Sequence, residues 1–243
     1  MLPCPKALCG AASGTEVSDF SSRPLHYWGR ACRGGPLMAA RSRLSEGNLG
    51  KSSIIYIVSA EGGTPQELVS DALDKGDPVW SPDGKTLAYG QEPWSQLSKI
   101  EIRIVDVASH KLQILADSQG LCRPRWSPNG RYLAAITRGA ERLMLFDFQA
   151  QKWTEAAKTV VNSPGWSRDS KYIYIDNSPT QKEPALLRLR LSDHKIEQVM
   201  NLKDIRRAAG NPHAWSGIDI DGSPLIVRDV GSQEIYSLDW QAP

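Results

Sequence analysis

The sequence has few residues of the kinds that hold small or metal-bound folds together. Its 243 residues include four cysteines, Cys4, Cys9, Cys32 and Cys122. Their spacings of 5, 23 and 90 residues match no zinc-ligand pairing, and four thiols are too few for a disulfide scaffold at this length. The sequence also has no apolar run of the roughly 18 residues that a membrane-spanning helix needs. We therefore expect no disulfide framework, no zinc module and no membrane span in this chain.

An excess of charge of one sign is also missing, because 29 Lys and Arg face 27 Asp and Glu, a formal net charge of +2. The balance is uneven along the chain. Residues 1–53 carry seven basic and three acidic residues, which leaves 22 basic and 24 acidic residues in the rest. Residues 1–53 are rich in Gly, Ser, Ala and Pro, with no apolar period and no secretory signal pattern. They are predicted to be a disordered basic leader, with a nucleic-acid-binding arm as the alternative.

A motif centred on tryptophan recurs through the remaining residues, 54–243. It reads DPVWSPDGKTLAYG at 77–90, RPRWSPNGRYLAAIT at 123–137, SPGWSRDSKYIYID at 163–176 and, in degenerate form, PHAWSGIDIDGSPLIV at 212–227. The tryptophans are 46, 40 and 49 residues apart, which is the period of a four-stranded propeller blade. The structural positions of the motif are Trp80, Pro82, Asp83, Gly84, Trp126, Pro128, Asn129, Gly130, Trp166, Asp169 and Trp215.

The chemistry of each copy predicts a hairpin turn between two strands. Pro82 presets φ at the second turn position, Asp83 suits the third, and Gly84 accepts positive φ at the exit. A short apolar strand follows, then a strand ending near an aspartate such as Asp106 or Asp147, then a turn and a last strand. Four antiparallel strands per repeat predict an all-β fold, a β-propeller of about four to five blades over residues 54–243.

The Trp-Ser-Pro-Asp-Gly-Lys motif and its following strand resemble the WD40-like repeat of the TolB-type β-propellers, a largely bacterial family. Residues 53–65 resemble the outer half of an earlier blade, and the C-terminal RDVGSQEIYSLDWQAP resembles the propeller ends of bacterial transcription regulators and receptor kinases. The resemblance implies a periplasmic or extracytoplasmic protein, although no signal peptide is visible. It also implies a truncated member with an incomplete ring, whose open blade edges would favour self-association.

Catalytic patterns are scarce. The peptidases of the prolyl-oligopeptidase type that carry similar propellers need a Gly-x-Ser-x-Gly nucleophile elbow, which this sequence lacks. The histidines His26, His110, His194 and His213 are isolated, and His110 and His194 fall at equivalent turns. Asp219, Asp221 and Gly222 suggest a calcium loop faintly, but an ordinary turn fits better because the later acidic ligand is missing. We predict no enzyme activity, no cofactor and no metal site.

Surface recognition remains as the predicted function. If the blade order follows the resemblance, residues just before each tryptophan lie on the innermost strand. Asp77, Arg123, Arg125, Asn162 and His213 would then line the channel mouth. Their mixed charge favours a protein or peptide partner over nucleic acid. The alternative is the propeller remnant of a prolyl-oligopeptidase-type serine peptidase that lacks its catalytic domain.

Overall fold

The computed structural model describes residues 25–30, 37–43, 53–59, 63–71, 75–91, 100–177, 183–208, 216–219 and 221–231. Every regular element in these ranges is a β-strand. The described residues up to Gly139, with Leu145–Thr154, form one compact unit, and Ala140–Met144 with those from Glu155 onward form a second. None of the described segments is a helix of the length and hydropathy that crossing a bilayer would require.

The first sheet has four strands in the order β1-β2-β3-β4. Their bounds are Leu25–Arg30, Leu37–Arg43, Ser53–Ser59 and Gln66–Val69, and neighbours pair antiparallel. The third strand, β3, lies within residues 53–65, and the fourth strand, β4, follows them. β1 and β2 lie within residues 1–53, so the sheet spans the predicted boundary at residue 54. The division into a leader and a propeller stays a prediction.

Three further four-stranded sheets follow, each containing consecutive strands in chain order. The second sheet comprises β5 to β8, at Lys75–Trp80, Thr86–Gln91, Arg103–Asp106 and Leu112–Ile114. The third comprises β9 to β12, at Leu121–Trp126, Tyr132–Thr137, Arg142–Asp147 and Lys152–Lys158. The fourth comprises β13 to β16, at Ser163–Trp166, Tyr172–Asp176, Ala185–Arg190 and Ile196–Asn201.

A two-stranded hairpin, β17 at Ser216–Ile218 and β18 at Pro224–Ile226, comes last among the described strands. The predicted all-β class is confirmed, and so is the predicted strand order in the three repeats that begin at β5, β9 and β13. The order follows from local sequence, because each Trp-Ser turn joins the first two strands and each aspartate-ended strand leads into the last turn. The motif tryptophan Trp215 lies outside the described residues.

The core of the first unit joins the first and second sheets. Trp80 is 5% exposed and belongs to one apolar cluster with Ile55, Ile57, Leu68, Val69, Leu87, Tyr89 and Val105. The indole ring of Trp80 therefore packs between the last two strands of the first sheet and the first three strands of the second. Central strands such as β10 are apolar on both faces, with Leu133 to Ile136 all buried, as expected for strands covered on both sides.

The second and third sheets approach each other closely at Gly90. A Cβ built there would lie 3.3 Å from the backbone nitrogen of Arg123 and 3.3 Å from the Cα of Cys122. Both atoms belong to β9, which lies against β5 and β6. Because these contacts are with backbone, the absence of a side chain at Gly90 permits this spacing of the two sheets.

The second unit has its own smaller apolar cluster. Buried Tyr174, Leu186 and Leu202 form its centre. Partly buried apolar side chains from the fourth sheet and the last hairpin pack around them, namely Tyr172, Met200, Ile205, Ile218 and Ile226. The hairpin is thus held to the fourth sheet by apolar contact.

Candidate functional site

The repeated turn is a hydrogen-bonded unit with the same connections in three sheets. In the second sheet, the Ser81 Oγ donates to Asp83 Oδ1 at 2.6 Å and accepts from the Thr86 nitrogen at 3.0 Å. The Gly84 nitrogen donates to the Ser81 carbonyl at 2.9 Å, and Gly84 has a φ of 71°. Asp83 and Gly84 thus occupy the third and fourth positions of a turn that begins at Ser81. The serine hydroxyl, whose role the sequence analysis missed, connects the two ends of the turn.

The third and fourth sheets repeat this unit with conservative changes. Ser127 donates to Asn129 Oδ1 at 2.7 Å, and Ser167 donates to Asp169 Oδ1 at 2.7 Å. The Ser81 hydroxyl lowers the pKa of Asp83, and the Ser167 hydroxyl lowers that of Asp169. A serine directly after each motif tryptophan was the available sequence signal. The serine and the aspartate or asparagine of each turn therefore have a structural role, which is to hold the turn together.

Two of the predicted site residues stand at β-bulges in the first strands of the second and third sheets. Asp77 in β5 and Arg123 in β9 have φ values of 49° and 52°, although neither is glycine and each precedes a proline. The strand register shifts at both places, so that two residues face one on the partner strand. The left-handed conformation costs about 1–3 kcal/mol at such a residue and concentrates at functional sites. In the fourth sheet, β13 pairs with β14 without a register shift.

The bulges bring Asp77, Arg123 and Arg125 together in the first unit. Arg123 Nε lies 3.6 Å from Asp77 Oδ2, and Arg125 Nη2 lies 3.5 Å from Asp77 Oδ1. Their side chains are 11%, 20% and 19% exposed for Arg123, Arg125 and Asp77. Arg125 also donates from Nη1 to the Pro124 carbonyl at 2.8 Å. We name Asp77, Arg123 and Arg125 the arginine-aspartate cluster.

The other two predicted site residues are Asn162 and His213. Asn162 is buried in the second unit, where its backbone nitrogen donates to the Asp176 carbonyl at 2.8 Å. His213 lies outside the described residues. The assignment of all five to one binding site stays a prediction.

Two buried ionic networks were not predicted from the sequence. In the second unit, Asp176 is fully buried and accepts from Arg207 Nη2 and from Ser216 Oγ, each at 2.7 Å. It joins the end of β14 to the segment before the last hairpin and to β17. A cavity of about 30 Å³ beside Ser216 and Tyr174 has room for water but is far too small for an organic ligand.

The other network lies in the first unit, around the fully buried Lys75. Its Nζ lies 2.6 Å from Asp71 Oδ1, and Arg103 bridges Asp71 at 2.9 Å and Glu101 at 2.8 Å. Burial, with the charge of Asp71, raises the pKa of the nearby Tyr89 hydroxyl. Acids and bases alternate closely, so the network neutralises itself and serves as a structural connection. The network joins two distant parts of the chain, since Arg103 lies 32 residues from Asp71, so no local motif predicts it.

The histidines and the faint calcium loop lie in turns. His110 and His194 have φ values of 56° and 57° at equivalent positions before the last strands of their sheets. Gly222 donates its nitrogen to the Asp219 carbonyl at 3.0 Å, which closes the β17–β18 hairpin as Gly84 closes its own turn. Among the described residues, no group of three His, Cys, Asp or Glu side chains is placed to hold a metal ion.

No protein-family model and no curated protein matches this chain in sequence. Its structure resembles solved structures at low identity. TolB from Acinetobacter baumannii matches with a TM-score of 0.61 and 17% identity, over 77% of this chain and 44% of TolB. The protein has a TolB-like β-propeller fold. This confirms the fold class and the resemblance that the tryptophan motif indicated.

Other propellers of this fold belong to enzymes. An oligogalacturonate lyase from Vibrio parahaemolyticus matches with a TM-score of 0.61 and 12% identity, over 79% of this chain and 59% of the lyase. The β-propeller domain of the Trilobed protease from Pyrococcus furiosus has an open velcro topology. It matches with a TM-score of 0.51 and 17% identity, over 77% of this chain and 60% of that domain. The chain thus spans 44% to 60% of the lengths of these three proteins. Since their activities differ, the propeller fold alone selects no function.

Proposed function

We propose that this propeller is a recognition module that binds a protein or peptide partner through the arginine-aspartate cluster. One observation carries the proposal. Two guanidinium groups and a carboxylate from the first strands of the second and third sheets lie together at or beside two β-bulges, with 11–20% of each side chain exposed. Binding would be non-covalent docking on a preorganised surface.

The scaffold supports this proposal because it makes the cluster rigid. Gly90 sets the close approach of β6 to β9, directly beside Arg123. A bulge re-aims the side chain it carries, and positive φ at a non-glycine residue persists only where the surroundings enforce it. Rigid, partly desolvated arginines recur at the centres of protein interfaces, since little conformational entropy is lost on binding.

The proposal includes the absence of catalysis by the propeller itself. No Gly-x-Ser-x-Gly pentapeptide occurs in the sequence, and the arginine-aspartate cluster contains no serine, cysteine or histidine. The likeness to the propeller of a protease favours one alternative, a propeller that accompanies a serine peptidase domain. Incubation of the chain with p-nitrophenyl esters and a Gly-Pro-p-nitroanilide peptide separates the two. We expect no turnover above buffer, and saturable turnover would refute the non-enzymatic proposal.

The binding proposal can be tested with a displayed library of random dodecapeptides selected on the immobilised chain. Enriched peptides are then measured against an Arg123→Ala/Arg125→Ala variant. The matched control is Arg142→Ala, which removes an arginine that is 50% exposed and pairs with Glu155. We expect affinity to fall about tenfold or more in the double variant, as for interface arginines, and to be unchanged in the control. No enriched peptide, or equal binding by the double variant, would refute the proposal.

Self-association through open sheet edges is a separate part of the proposal. The outer strand β8 exposes Leu112 by 37% and Ile114 by 50%, and the outer strand β16 exposes Ile196 and Val199 by 39% each. Exposed apolar side chains on edge strands favour contact between copies. Light scattering at micromolar concentration should show a mass above the monomer's, whereas a uniform monomer would count against this prediction.

A further inference from the structure

We propose that Asn129 is a site of chemical modification, at which the loss of ammonia converts the turn of the third sheet into the aspartate form found in the second and fourth sheets. The inference goes beyond the proposed function and does not involve the arginine-aspartate cluster. It concerns the turn from Ser127 to Arg131, which joins β9 to β10.

The residue types in the three turns single out the third. The second sheet has Asp83-Gly84 and the fourth has Asp169-Ser170, whereas the third has Asn129-Gly130, the one Asn-Gly pair in the sequence. Neighbouring serine hydroxyls lower the pKa of both aspartates, so both are carboxylates at neutral pH, and a carboxylate resists attack by a nucleophile. The neutral amide carbon of Asn129 does not resist in this way. Gly130 has no Cβ to hinder the approach of its backbone nitrogen to that carbon.

The reaction needs water as its co-reactant and involves no oxidation or reduction. The Gly130 nitrogen loses its proton to solvent and attacks Asn129 Cγ, which forms a five-membered cyclic imide. The Cγ–Nδ2 bond breaks, and the amide group takes up a proton and leaves as ammonia. Water then cleaves one of the two ring bonds at the imide nitrogen. Cleavage at Cγ gives aspartate, and cleavage at the main-chain carbonyl carbon gives isoaspartate.

The aspartate product fits the turn as it stands. In the third sheet, Asn129 Oδ1 accepts from the Ser127 hydroxyl at 2.7 Å and from the Arg131 nitrogen at 3.0 Å. The aspartates of the other two turns accept the equivalent pair of bonds, from Ser81 and Lys85 at 2.6 and 3.1 Å and from Ser167 and Lys171 at 2.7 and 3.1 Å. An oxygen in place of Asn129 Nδ2 therefore needs no rearrangement of these bonds.

The hydrogen bonds of the closed turn slow the reaction. The Gly130 nitrogen donates to the Ser127 carbonyl at 2.9 Å, a bond that it must release before it attacks. The Ser127 hydroxyl also accepts from the Tyr132 nitrogen at 2.9 Å, and it thereby holds the amide oxygen of Asn129 at the start of β10. Asn129 itself is exposed, so the turn can open without uncovering the core. Because the loss of ammonia is far slower than local opening, its rate should follow the population of the open turn.

Incubation of the full chain in mildly alkaline buffer, made with water enriched in heavy oxygen, tests this inference. A carboxylate formed during the incubation carries heavy oxygen, which separates it from one formed earlier. Trypsin releases the peptide from Trp126 to Arg131. Mass spectrometry with electron-transfer fragmentation then distinguishes aspartate from isoaspartate in this peptide. A parallel sample in urea gives the rate for the open chain.

We expect Asn129 to take up heavy oxygen in the native chain, about tenfold or more slowly than in urea. Ser127→Ala should raise the native rate by about fivefold or more, because it removes two hydrogen bonds of the turn. Ser167→Ala is the matched control, since it makes the same change in the fourth sheet. Gly90→Ala is a second control, since it strains the first unit away from the turn. Both should change the rate by less than about twofold.

The Asn129→Asp variant supplies the product directly. Its urea midpoint at neutral pH should equal or exceed that of wild type, because the Ser127 hydroxyl bonds a carboxylate more strongly than an amide. Any such gain should be lost as pH falls through the folded pKa of the new carboxylate. Circular dichroism and the thermal midpoint establish that each variant is folded.

Three results would overturn the inference. Conversion in urea with none in the native chain would remove Asn129 as a modification site. An unchanged rate in Ser127→Ala, or an equal rise in Gly90→Ala, would refute control by the turn. A midpoint of Asn129→Asp below that of wild type at neutral pH would show that the aspartate form does not fit. If Ser127→Ala does not fold, the ratio of native to urea rates and the Asn129→Asp midpoint decide.

Discussion

Replacing Asp176 by asparagine should destabilise the second unit severely. The Asp176 carboxylate is fully buried and accepts from Arg207, which is 8% exposed, and from Ser216, each at 2.7 Å. Asparagine has nearly the same shape but carries no charge, and only one of its two terminal atoms is an acceptor. The Asp176→Asn variant therefore leaves the buried guanidinium of Arg207 without this carboxylate and weakens the hydrogen bond to the Ser216 hydroxyl.

The expected cost is about 3 kcal/mol, at the lower end of the range for breaking a buried ion pair, because the amide oxygen keeps one hydrogen bond. With a urea m-value of about 2 kcal/mol/M, the midpoint of unfolding should fall by about 1.5 M. Urea titrations followed by circular dichroism and tryptophan fluorescence measure this shift. Ser216→Ala removes one neutral donor and should cost only about 1 kcal/mol.

Glu155→Gln is the control, because Glu155 and Arg142 form an ion pair in which both side chains are 41% or more exposed. It should cost less than about 1 kcal/mol. An Asp176→Asn/Arg207→Gln double variant should recover part of the lost stability, because the buried charge is gone. The reasoning fails if Asp176→Asn costs no more than Glu155→Gln, or if the double variant is less stable than Asp176→Asn alone.

Three further predictions concern the scaffold of the first unit. Ser127→Ala removes two hydrogen bonds of a buried serine and should cost about 1–3 kcal/mol in urea unfolding, more than Ser167→Ala, whose serine is partly exposed; equal costs would contradict this. Gly90→Ala should cost about 1–3 kcal/mol by the same assay, because its Cβ would press on β9 backbone, and a neutral result would refute close packing. The lowered pKa of Asp83 in the folded state contributes stability above the ordinary aspartate pKa of 3.8, and this stability is lost as pH falls through the folded pKa. Ser81→Ala removes the largest cause of that shift, so the urea midpoint should fall less steeply below about pH 4, and an unchanged pH profile would contradict it.

Much of the fold could be predicted from the sequence because the repeat unit is built from local contacts. The Ser81 hydroxyl bonds residues two and five positions away, so one short motif contains both partners of each bond. The strand order followed from the same motif, and the solved TolB structure confirmed the propeller class. The positions of Asp77 and Arg125 beside the motif could be predicted for the same reason, whereas their bulges could not, since each pre-proline residue is expected in extended conformation.

The amino-acid sequence by itself determined the period, the turns and the all-β class, since these depend on residue types a few positions apart. Only the tertiary structure decided which charges meet. Asp77 reaches Arg125 across 48 residues, and Asp176 reaches Arg207 and Ser216 across 31 and 40. No motif spans such separations, because the packing of one sheet on the next sets the distance between their side chains. That packing also brought Arg207 Nη2 to within 2.7 Å of Asp176 Oδ2.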